Sequence, residues 1–397
     1  MSGGDPFGAL RDDLVLHVLS FLPSRDAVKS SVFSRRWRDL WRSTPAVRVR
    51  GHDDGFCRFV NSLLLQRDGN SPLREFEIET DLSIGGGGED SDYEDEDCSR
   101  EIHPYVDQWI RRAVVTCRAA SLTARFPDED TLWSPRQRRP FASPHLTTMH
   151  LDGVRLADGL IDFSCCPALL HLSLTACRLD AGAFVSPSLE RLSIIDCDII
   201  QIGRNAGGRS RMGIYTPSLR YLQLSDNVAQ GFPKAPSLES MPWLKNASIQ
   251  LTGYLACNPP QEILLRDLKW CPTFTKLKTL ILNEWCVYAE VTAFVCLLRH
   301  TPGLENLILQ LPFKNLPKLD VKVDENHTTS EQPFLTLEHL KAVEIKNCRP
   351  SYYFSKRLVF FTKSVEQIMK LFSDWGIPSS KISINYKQPE GQPSTCT

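Results

Sequence analysis

The chain has 397 residues, of which 42% are hydrophobic and 23% charged, and its formal net charge is −1. This composition is typical of a globular protein with one large repeat domain or two to three ordinary domains. The balanced charge provides no overall attraction to nucleic acid or to an anionic membrane, so we expect neither as a partner.

The first residues, MSGGDPFGALRDD, contain no basic segment followed by an apolar run, and no apolar run approaches the length of a membrane span. We therefore expect no signal peptide and no membrane segment. Without a secretory signal, the thirteen cysteines are expected to be reduced. The expected location is the nucleus, the cytoplasm or both.

The first predicted elements are three short helices between residues 12 and 41. Asp12 and Asp13 suit the start of the first helix, because acids stabilise the positive end of the helix dipole. Ser24 is a candidate N-cap for the second helix and Ser34 for the third. The segment is rich in large apolar side chains, and about forty residues are too few to bury all of them within the segment itself. The segment is either a docking module for another protein or the N-terminal cap of a larger helical domain.

Residues 10–45, LRDDLVLHVLSFLPSRDAVKSSVFSRRWRDLWRSTP, resemble the F-box of plant F-box proteins. The resemblance rests on LSFLP, the following DAV and the ending SRRWRDLW. It implies a domain over residues 10–50 that binds the small Skp-type adaptor of a cullin–RING ubiquitin ligase. Arg11 departs from the family pattern, which usually has proline after the first leucine. The resemblance places these residues against the adaptor: Leu10, Leu14, Val18, Leu19, Leu22, Pro23, Val32 and Trp37.

A leucine pattern recurs through residues 51–335. Segments such as LTTMHLDGVRL, LLHLSLTACRL and LERLSIIDCDI match the leucine-rich-repeat consensus L-x-x-L-x-L-x-x-N/C-x-L. The L-x-L part predicts a short strand whose alternate residues point inward. The sequence therefore predicts an α/β fold, with a three-helix F-box followed by an irregular leucine-rich-repeat solenoid that has a curved parallel sheet.

Polar positions of the repeats have two predicted roles. Cys177, Cys197, Asn227 and Cys348 occupy the N/C position, where a small side chain can hydrogen-bond the backbone of the turn. Outward residues of the strands are expected on the concave side, which is the binding surface of a solenoid. The candidates for binding an unknown protein target are His150, His171, Arg191, Tyr221 and Asn306, with Ser173, Ser193, Gln223 and Ile308 at equivalent positions.

Two more segments resemble the same plant family. HPYVDQWIRRAV, at residues 103–114, resembles the helix before the repeats. Residues 336–385 form a candidate FBD domain, with a strand followed by a helix that ends in KSVEQI. The acidic segment 85–99 is expected to be a solvated loop, with docking of a basic partner as the alternative. Residues 1–9 and 386–397 have the composition of flexible ends.

The sequence supports no catalytic site. Gly85–Gly88 lack a following GKS or GKT, Cys165 and Cys166 lack zinc spacing, and no nucleophile motif is present. We therefore expect no metal and no cofactor. Two functions remain open. One is a substrate-recognition subunit of an SCF (Skp–cullin–F-box) ubiquitin ligase, which reaches the cullin and RING subunits through the adaptor. The other is a non-ligase interaction scaffold with a degenerate F-box.

Overall fold

A computed structural model gives the structure of the chain. It describes residues 10–80, 103–127, 132–135, 141–200, 212–226, 237–251, 272–283, 291–312, 337–348 and 358–385. The acidic segment 85–99, Asn227 and the two predicted flexible ends lie outside these residues. The chain divides into two compact units, unit 1 (Met1–Ser218 with Lys234–Pro236) and unit 2 (Leu219–Pro233 with Ser237–Thr397).

Unit 1 begins with three short helices. They are α1 (Asp12–Leu19), α2 (Ser24–Lys29) and α3 (Trp37–Leu40), with 3₁₀ turns at Ser30–Val32 and Trp41–Ser43. Asp12 and Asp13 occupy the first turn of α1, as the helix-dipole argument predicts. The F-box helices predicted from the sequence are therefore present.

The two predicted helix caps are wrong. Ser24 lies inside α2, which begins behind Pro23 without a side-chain cap. The Ser24 hydroxyl instead accepts a hydrogen bond from the Arg48 N–H at 2.9 Å. α3 begins behind Arg36, and the hydroxyl of Ser34 makes no hydrogen bond to the described residues. Because the Ser24 hydroxyl is engaged with the backbone of Arg48, it is not used to cap α2.

The rest of unit 1 consists mainly of strands, and two helices lie between the first three strands. In chain order they are β1 (Ala46–Arg50), α4 (Asp54–Gln66), β2 (Glu75–Glu79), α5 (His103–Arg111), β3 (Ser121–Arg125), β4 (Thr148–Asp152), β5 (Arg155–Asp162), β6 (His171–Thr175), β7 (Arg178–Val185), β8 (Arg191–Ile195), β9 (Asp198–Ile200) and β10 (Gly213–Tyr215).

Six of these strands form the main sheet of unit 1, in the order β1-β2-β3-β4-β6-β8, and every neighbouring pair is parallel. Equivalent residues pair directly, so that Met149, Leu172 and Leu192 lie side by side and are buried. A second parallel sheet pairs β7 with β5, β9 and β10. The three quoted leucine segments predicted β4, β6 and β8. The pattern missed β1, β3 and the second sheet, which lack the full consensus.

Each of the strands β4, β6 and β8 of the main sheet is followed by a residue in the left-handed backbone conformation. Gly153, Ala176 and Asp196 have φ values of 69°, 47° and 53°. Each of these residues turns the chain so that the side chain after it points inward. In two of the three turns, that side chain is the buried thiol of Cys177 or Cys197. The Cys177 thiol donates to the Thr175 carbonyl at 3.1 Å, and the Cys197 thiol donates to the Ile195 carbonyl at 3.3 Å. These contacts confirm the predicted turn role of the two cysteines.

Unit 2 also carries a parallel sheet. Its elements are β11 (Tyr221–Asp226), β12 (Ser237–Leu238), β13 (Asn246–Leu251), β14 (Thr279–Asn283), α6 (Val291–Arg299), β15 (Asn306–Pro312), β16 (Ala342–Cys348), α7 (Leu358–Asp374) and β17 (Ile382–Asn385). The sheet order is β11-β13-β14-β15-β16-β17. Phe294 of α6 packs against Phe372 and Trp375, with ring centroids 6.4 and 5.8 Å apart.

The C-terminal segment has the order of elements that the FBD resemblance implies, a strand (β16) followed by a helix (α7). The helix continues beyond the predicted ending at Ile368 and stops at Asp374. Val365, Ile368 and Phe372 are buried at helical spacing, so the additional turn extends the same apolar stripe. The proposed limits of the FBD-like domain, 336–385, stay a prediction.

Replacing Gly153 with alanine should destabilise unit 1 by about 2–4 kcal/mol. Its φ of 69° is unfavourable for an L-residue, and an added Cβ would lie 2.0 Å from the Phe126 carbonyl oxygen. Gly69→Ala is the matched control, because no atom lies within 4 Å of its added Cβ. Urea unfolding followed by circular dichroism measures both variants. Equal stability of the two variants would contradict this account of the turn.

Candidate functional site

The three F-box helices pack around a small core of their own. Val15, Leu19, Ala27 and Trp37 are buried together. Leu10, Leu22 and Leu40 pack against them and stay partly exposed. Full burial of a large apolar side chain contributes about 1.5–3 kcal/mol, so this cluster holds the short helices together.

Other apolar side chains of the same helices face outward. Leu14, Val18 and Phe21 follow one another at helical spacing, so they lie along one stripe of α1 and the turn after it. Val32 and Phe33 are also exposed, Val32 by 81% of its surface. A group of exposed large apolar side chains on a small domain is typical of a protein-binding surface.

The structure divides the eight predicted adaptor contacts into surface and core residues. Leu14, Val18, Pro23 and Val32 are exposed. Leu10 and Leu22 are partly exposed. Leu19 and Trp37 are buried, so they have no surface to offer an adaptor while the domain keeps this packing. We assign those two to the core.

Sequence reasoning missed two exposed aromatic residues on this domain, Phe21 and Phe33. Phe21 makes an edge contact with His17, with ring centroids 4.9 Å apart, and Phe33 makes one with Trp37 at 6.0 Å. Phe21 lies two residues after Leu19 and Phe33 follows Val32 directly, so both positions were within the quoted motif. Helical spacing from Leu14 and Val18 was the signal that could have identified Phe21.

The start of α1 is held by Arg36. Its Nε donates to Asp12 at 2.7 Å, and its Nη2 donates to the Leu10 carbonyl. Arg11, which stands where the family usually has proline, is the N-cap residue, with φ −69° and ψ 153°. Proline favours this φ, so arginine preserves the backbone entry into α1.

Arg48 of β1 connects the F-box to the main sheet. Its guanidinium donates to the Ser20 carbonyl and to Glu75, and it lies 3.4 Å from Glu77. Arg50 pairs with Glu79, and Arg125 pairs with Glu77. The first three strands therefore carry a network of ion pairs on their outward face. The sequence did not indicate it, because β1 and β3 were not recognised as strands.

The target-binding candidates of unit 1 lie on the outward face of the strands that follow. His171 pairs with Arg191 across β6 and β8, and both side chains are exposed. His150 belongs to the next row, where it pairs with Thr123 and Ser173. The structure thus brings these three candidates together, as adjacent positions in two neighbouring rows.

His150 is poorly suited to act as a cation. Desolvation by burial lowers its pKa below the ordinary 6.5, and the positive charges of Arg125 and His171 lower it further. Burial likewise raises the pKa of the nearby Asp152 carboxyl. At neutral pH, His150 is therefore an uncharged hydrogen-bonding group on this face.

The candidates of unit 2 share one row of its sheet. Tyr221 pairs with Asn246, which pairs with Thr279, which in turn pairs with Asn306. Two strands, β13 and β14, therefore lie between Tyr221 and Asn306, and both of these side chains are half-buried. At the far end of these strands, the Gln250 amide donates to the Gln310 carbonyl oxygen at 2.8 Å. The outward face of unit 2 is polar and carries uncharged side chains at these positions.

The described residues contain no group of three or more His, Cys, Asp or Glu side chains placed to hold a metal ion. Burial raises the pKa of the Cys166 thiol to about 12, so this thiol is protonated at neutral pH. Among the helices of the described residues, none is long and apolar enough to cross a membrane.

Comparison with protein families adds the decisive observation for the N-terminal helices. Residues 10–46 match the model of the F-box domain. The chain carries an N-terminal F-box. This match covers α1, α2 and α3 and ends where β1 begins. The F-box therefore includes both the buried core and the exposed apolar side chains.

Three curated relatives that match much of the chain are plant F-box proteins. An F-box/FBD/LRR-repeat protein of Arabidopsis thaliana is 28% identical over 273 residues, which cover 62% of this chain and 60% of the relative. An F-box/LRR-repeat protein of the same plant is 27% identical over 58% of the chain and 51% of its own length. The MEIOTIC F-BOX protein MOF of Oryza sativa subsp. japonica is 27% identical over 406 residues, 87% of the chain and 81% of the relative. The chain thus spans about half to three fifths of the first two relatives. These names confirm the predicted resemblance.

Trp37→Ala should weaken the F-box by about 3–5 kcal/mol, because it removes a ring that is only 6% exposed from the core. Val32→Ala should change stability by less than about 0.5 kcal/mol, because its side chain is exposed. Hydrogen–deuterium exchange of residues 10–45 in the full chain measures the difference. Equal protection in the two variants would show that Trp37 does not stabilise the domain.

His150 should titrate below pH 6.5 in the folded chain, and Arg125→Gln should raise its midpoint by removing a nearby positive charge. Because folding favours neutral His150, the unfolded state binds more protons, and stability falls as pH drops through about 6.5. Ring-proton NMR gives the midpoint, and the missing signal in His150→Gln assigns it. A midpoint at or above 6.5 would contradict the prediction.

Proposed function

We propose that the chain is the substrate-recognition subunit of an SCF-type ubiquitin ligase. Its F-box binds a Skp-type adaptor, which links it to the cullin and RING subunits, and its repeats bind a protein target. The proposal gives the chain no catalytic role of its own. It acts in the nucleus, the cytoplasm or both, where the ligase and the target meet.

The observation that carries the proposal is the exposed apolar surface on the F-box. Leu14, Val18, Phe21, Val32 and Phe33 face solvent, while the core of the same domain is already complete without them. Burial of these side chains against an adaptor would be favourable, at about 25 cal/mol for each Å² of apolar surface. The F-box match and the names of the relatives support the same partner.

The contribution of such a subunit to catalysis is proximity. Binding of the target to the same assembly as the ubiquitin-conjugating enzyme turns a bimolecular encounter into a local one with a high effective concentration. The long parallel sheets suit this role, because the direct register of their strands fixes the outward side chains in rows. A lysine of the target then meets the ubiquitin-loaded conjugating enzyme more often than it would in free solution.

The alternative function is a non-ligase scaffold with a degenerate F-box, and Arg11 is the observation that favours it. Arg11 is exposed and donates to Asp13 at 3.0 Å. It lacks the apolar ring of the usual proline but keeps its backbone angle, so α1 is not altered. The remaining exposed apolar side chains favour the ligase subunit over the scaffold.

The double change Leu14→Asp with Val32→Asp should reduce adaptor binding by at least about tenfold, because it places charge in the apolar contact. Both residues are exposed, so the fold is preserved. The measurement is co-precipitation of the full chain with a plant Skp-type adaptor.

Leu65→Asp with Val115→Asp is the matched control, since both residues are exposed apolar positions outside the F-box helices. It should leave adaptor binding intact. The ligase proposal fails if the folded intact chain does not bind the adaptor. The assignment of the surface fails if the control loses as much binding as the F-box variant.

A further inference from the structure

A row of charged residues runs along one edge of the unit 2 sheet. Arg220, Lys245, Lys278, Glu305 and Lys341 each directly precede a strand, at paired positions of β11, β13, β14, β15 and β16. The backbone joins them in sequence: the N–H of each later residue donates to the carbonyl of the one before, at 2.8–2.9 Å. We call this set the basic row.

The basic row has an excess of positive charge. It contains four cations and one acid, so its formal charge is +3. Glu305 lies between Lys278 and Lys341, with N–O distances of 2.6 and 2.7 Å. Hydrogen bonds from these two lysines lower the pKa of Glu305 to about 2, so the acid stays ionised and holds their side chains in line.

Two further features of this edge are basic. Lys245 is exposed and makes no ion pair with the residues that the structure describes. Lys276, two residues before Lys278, places its ammonium 3.3 Å from the centre of the exposed Trp243 ring. Glu239 and Glu338 are further acids in these turns, but with Lys276 included five cations still outnumber three acids. The edge is therefore both ordered and cationic.

The charge is not a general consequence of the repeat. In unit 1, the residues at the equivalent positions contribute one cation and one acid, and the other four are uncharged. Hydrophobic burial fixes the leucines of each turn, but it places no demand on the exposed residue before the strand. The equivalent positions of unit 1 are Pro45, Arg74, Ala120, Thr147, Leu170 and Glu190.

We propose that the basic row binds an acidic segment of a protein partner in extended conformation. Five positions on strands spaced about 4.8 Å apart span about 19 Å, which an extended peptide covers with about six residues. This inference rests on the proposed function, because it names the class of target that the receptor would recruit. Acidic side chains of the peptide would pair with the ammonium and guanidinium groups along the row.

A protein partner fits this edge better than a nucleic acid. Single-stranded nucleic acid sites combine basic residues with aromatic rings on which bases stack. In the described turns of the row, Trp243 is the exposed aromatic ring, and Lys276 already lies against its face. Glu305 also interrupts the positive charge, which opposes a continuous phosphate backbone but leaves room for a mixed acidic peptide.

The test measures binding of a fluorescein-labelled acidic peptide to the full chain by fluorescence anisotropy. The probe is a peptide of about eight residues in which Asp and Glu alternate with Gly and Ser. Its affinity should fall as salt rises from about 50 to 500 mM, because salt screens exposed charges. Arg220→Glu with Lys245→Glu should weaken binding on the order of tenfold, and Lys245→Glu alone should weaken it less.

Arg58→Glu with Lys370→Glu is the matched control, because it changes the net charge equally at two exposed positions outside the row. It should leave affinity within about twofold. The proposal is overturned if the control weakens binding as much as the row variant, if the intact chain does not bind the peptide, or if a single-stranded oligonucleotide of equal charge binds more tightly.

Adaptor co-precipitation of the same variants separates this inference from the proposed function. The row variant leaves the F-box unchanged, so it should retain the adaptor. If the chain binds the adaptor but not the peptide, the proposal that the basic row binds an acidic segment is wrong and the proposed ligase function is unaffected. If the chain binds the peptide but not the adaptor, the proposed ligase function is wrong, and the basic row would be the binding surface of a non-ligase scaffold.

Discussion

The rest of the structure depends on burial of alternate residues beneath the parallel sheets. Each strand of the main sheet of unit 1 directs one set of side chains inward, where Leu172, Leu192 and their equivalents are excluded from solvent. Because neighbouring strands of the main sheet pair without offset, a buried position in one repeat fixes the same position in the next. Outward residues are aligned by the same register but are not constrained in type. The polar rows and the basic row are consequences of this freedom.

The F-box is also held together by burial of apolar side chains, but in a much smaller domain. Its core consists of a few side chains around Trp37, which is enough to hold three short helices against one another. The remaining apolar residues stay on the surface because the domain is too small to enclose them. Arg48 then joins the F-box to the first strands through the Ser20 carbonyl and Glu75. The F-box and a parallel repeat sheet thus share one compact unit.

Local pattern was a reliable guide where a complete consensus was present. The helix starting at Asp12 and the strands β4, β6 and β8 follow from short-range periodicity, and the structure contains them. The Cys177 and Cys197 turns were predicted for the same reason. The pattern failed for β1 and β3, whose strand state is stabilised by pairing with β2 on either side. It also failed for Ser24, whose hydroxyl accepts from a strand backbone that is distant in sequence.

The sequence by itself determined the F-box, the repeat architecture and the outward positions of His150, His171, Arg191, Tyr221 and Asn306. These depend on residue type and spacing within about ten to thirty residues. Only the tertiary structure decided that Leu19 and Trp37 belong to a core, while Phe21 and Phe33 face solvent. It alone aligned Arg220, Lys245, Lys278 and Lys341 in one row. The physical reason is that burial and cross-strand neighbours depend on contacts between distant parts of the chain, which spacing along the sequence does not specify.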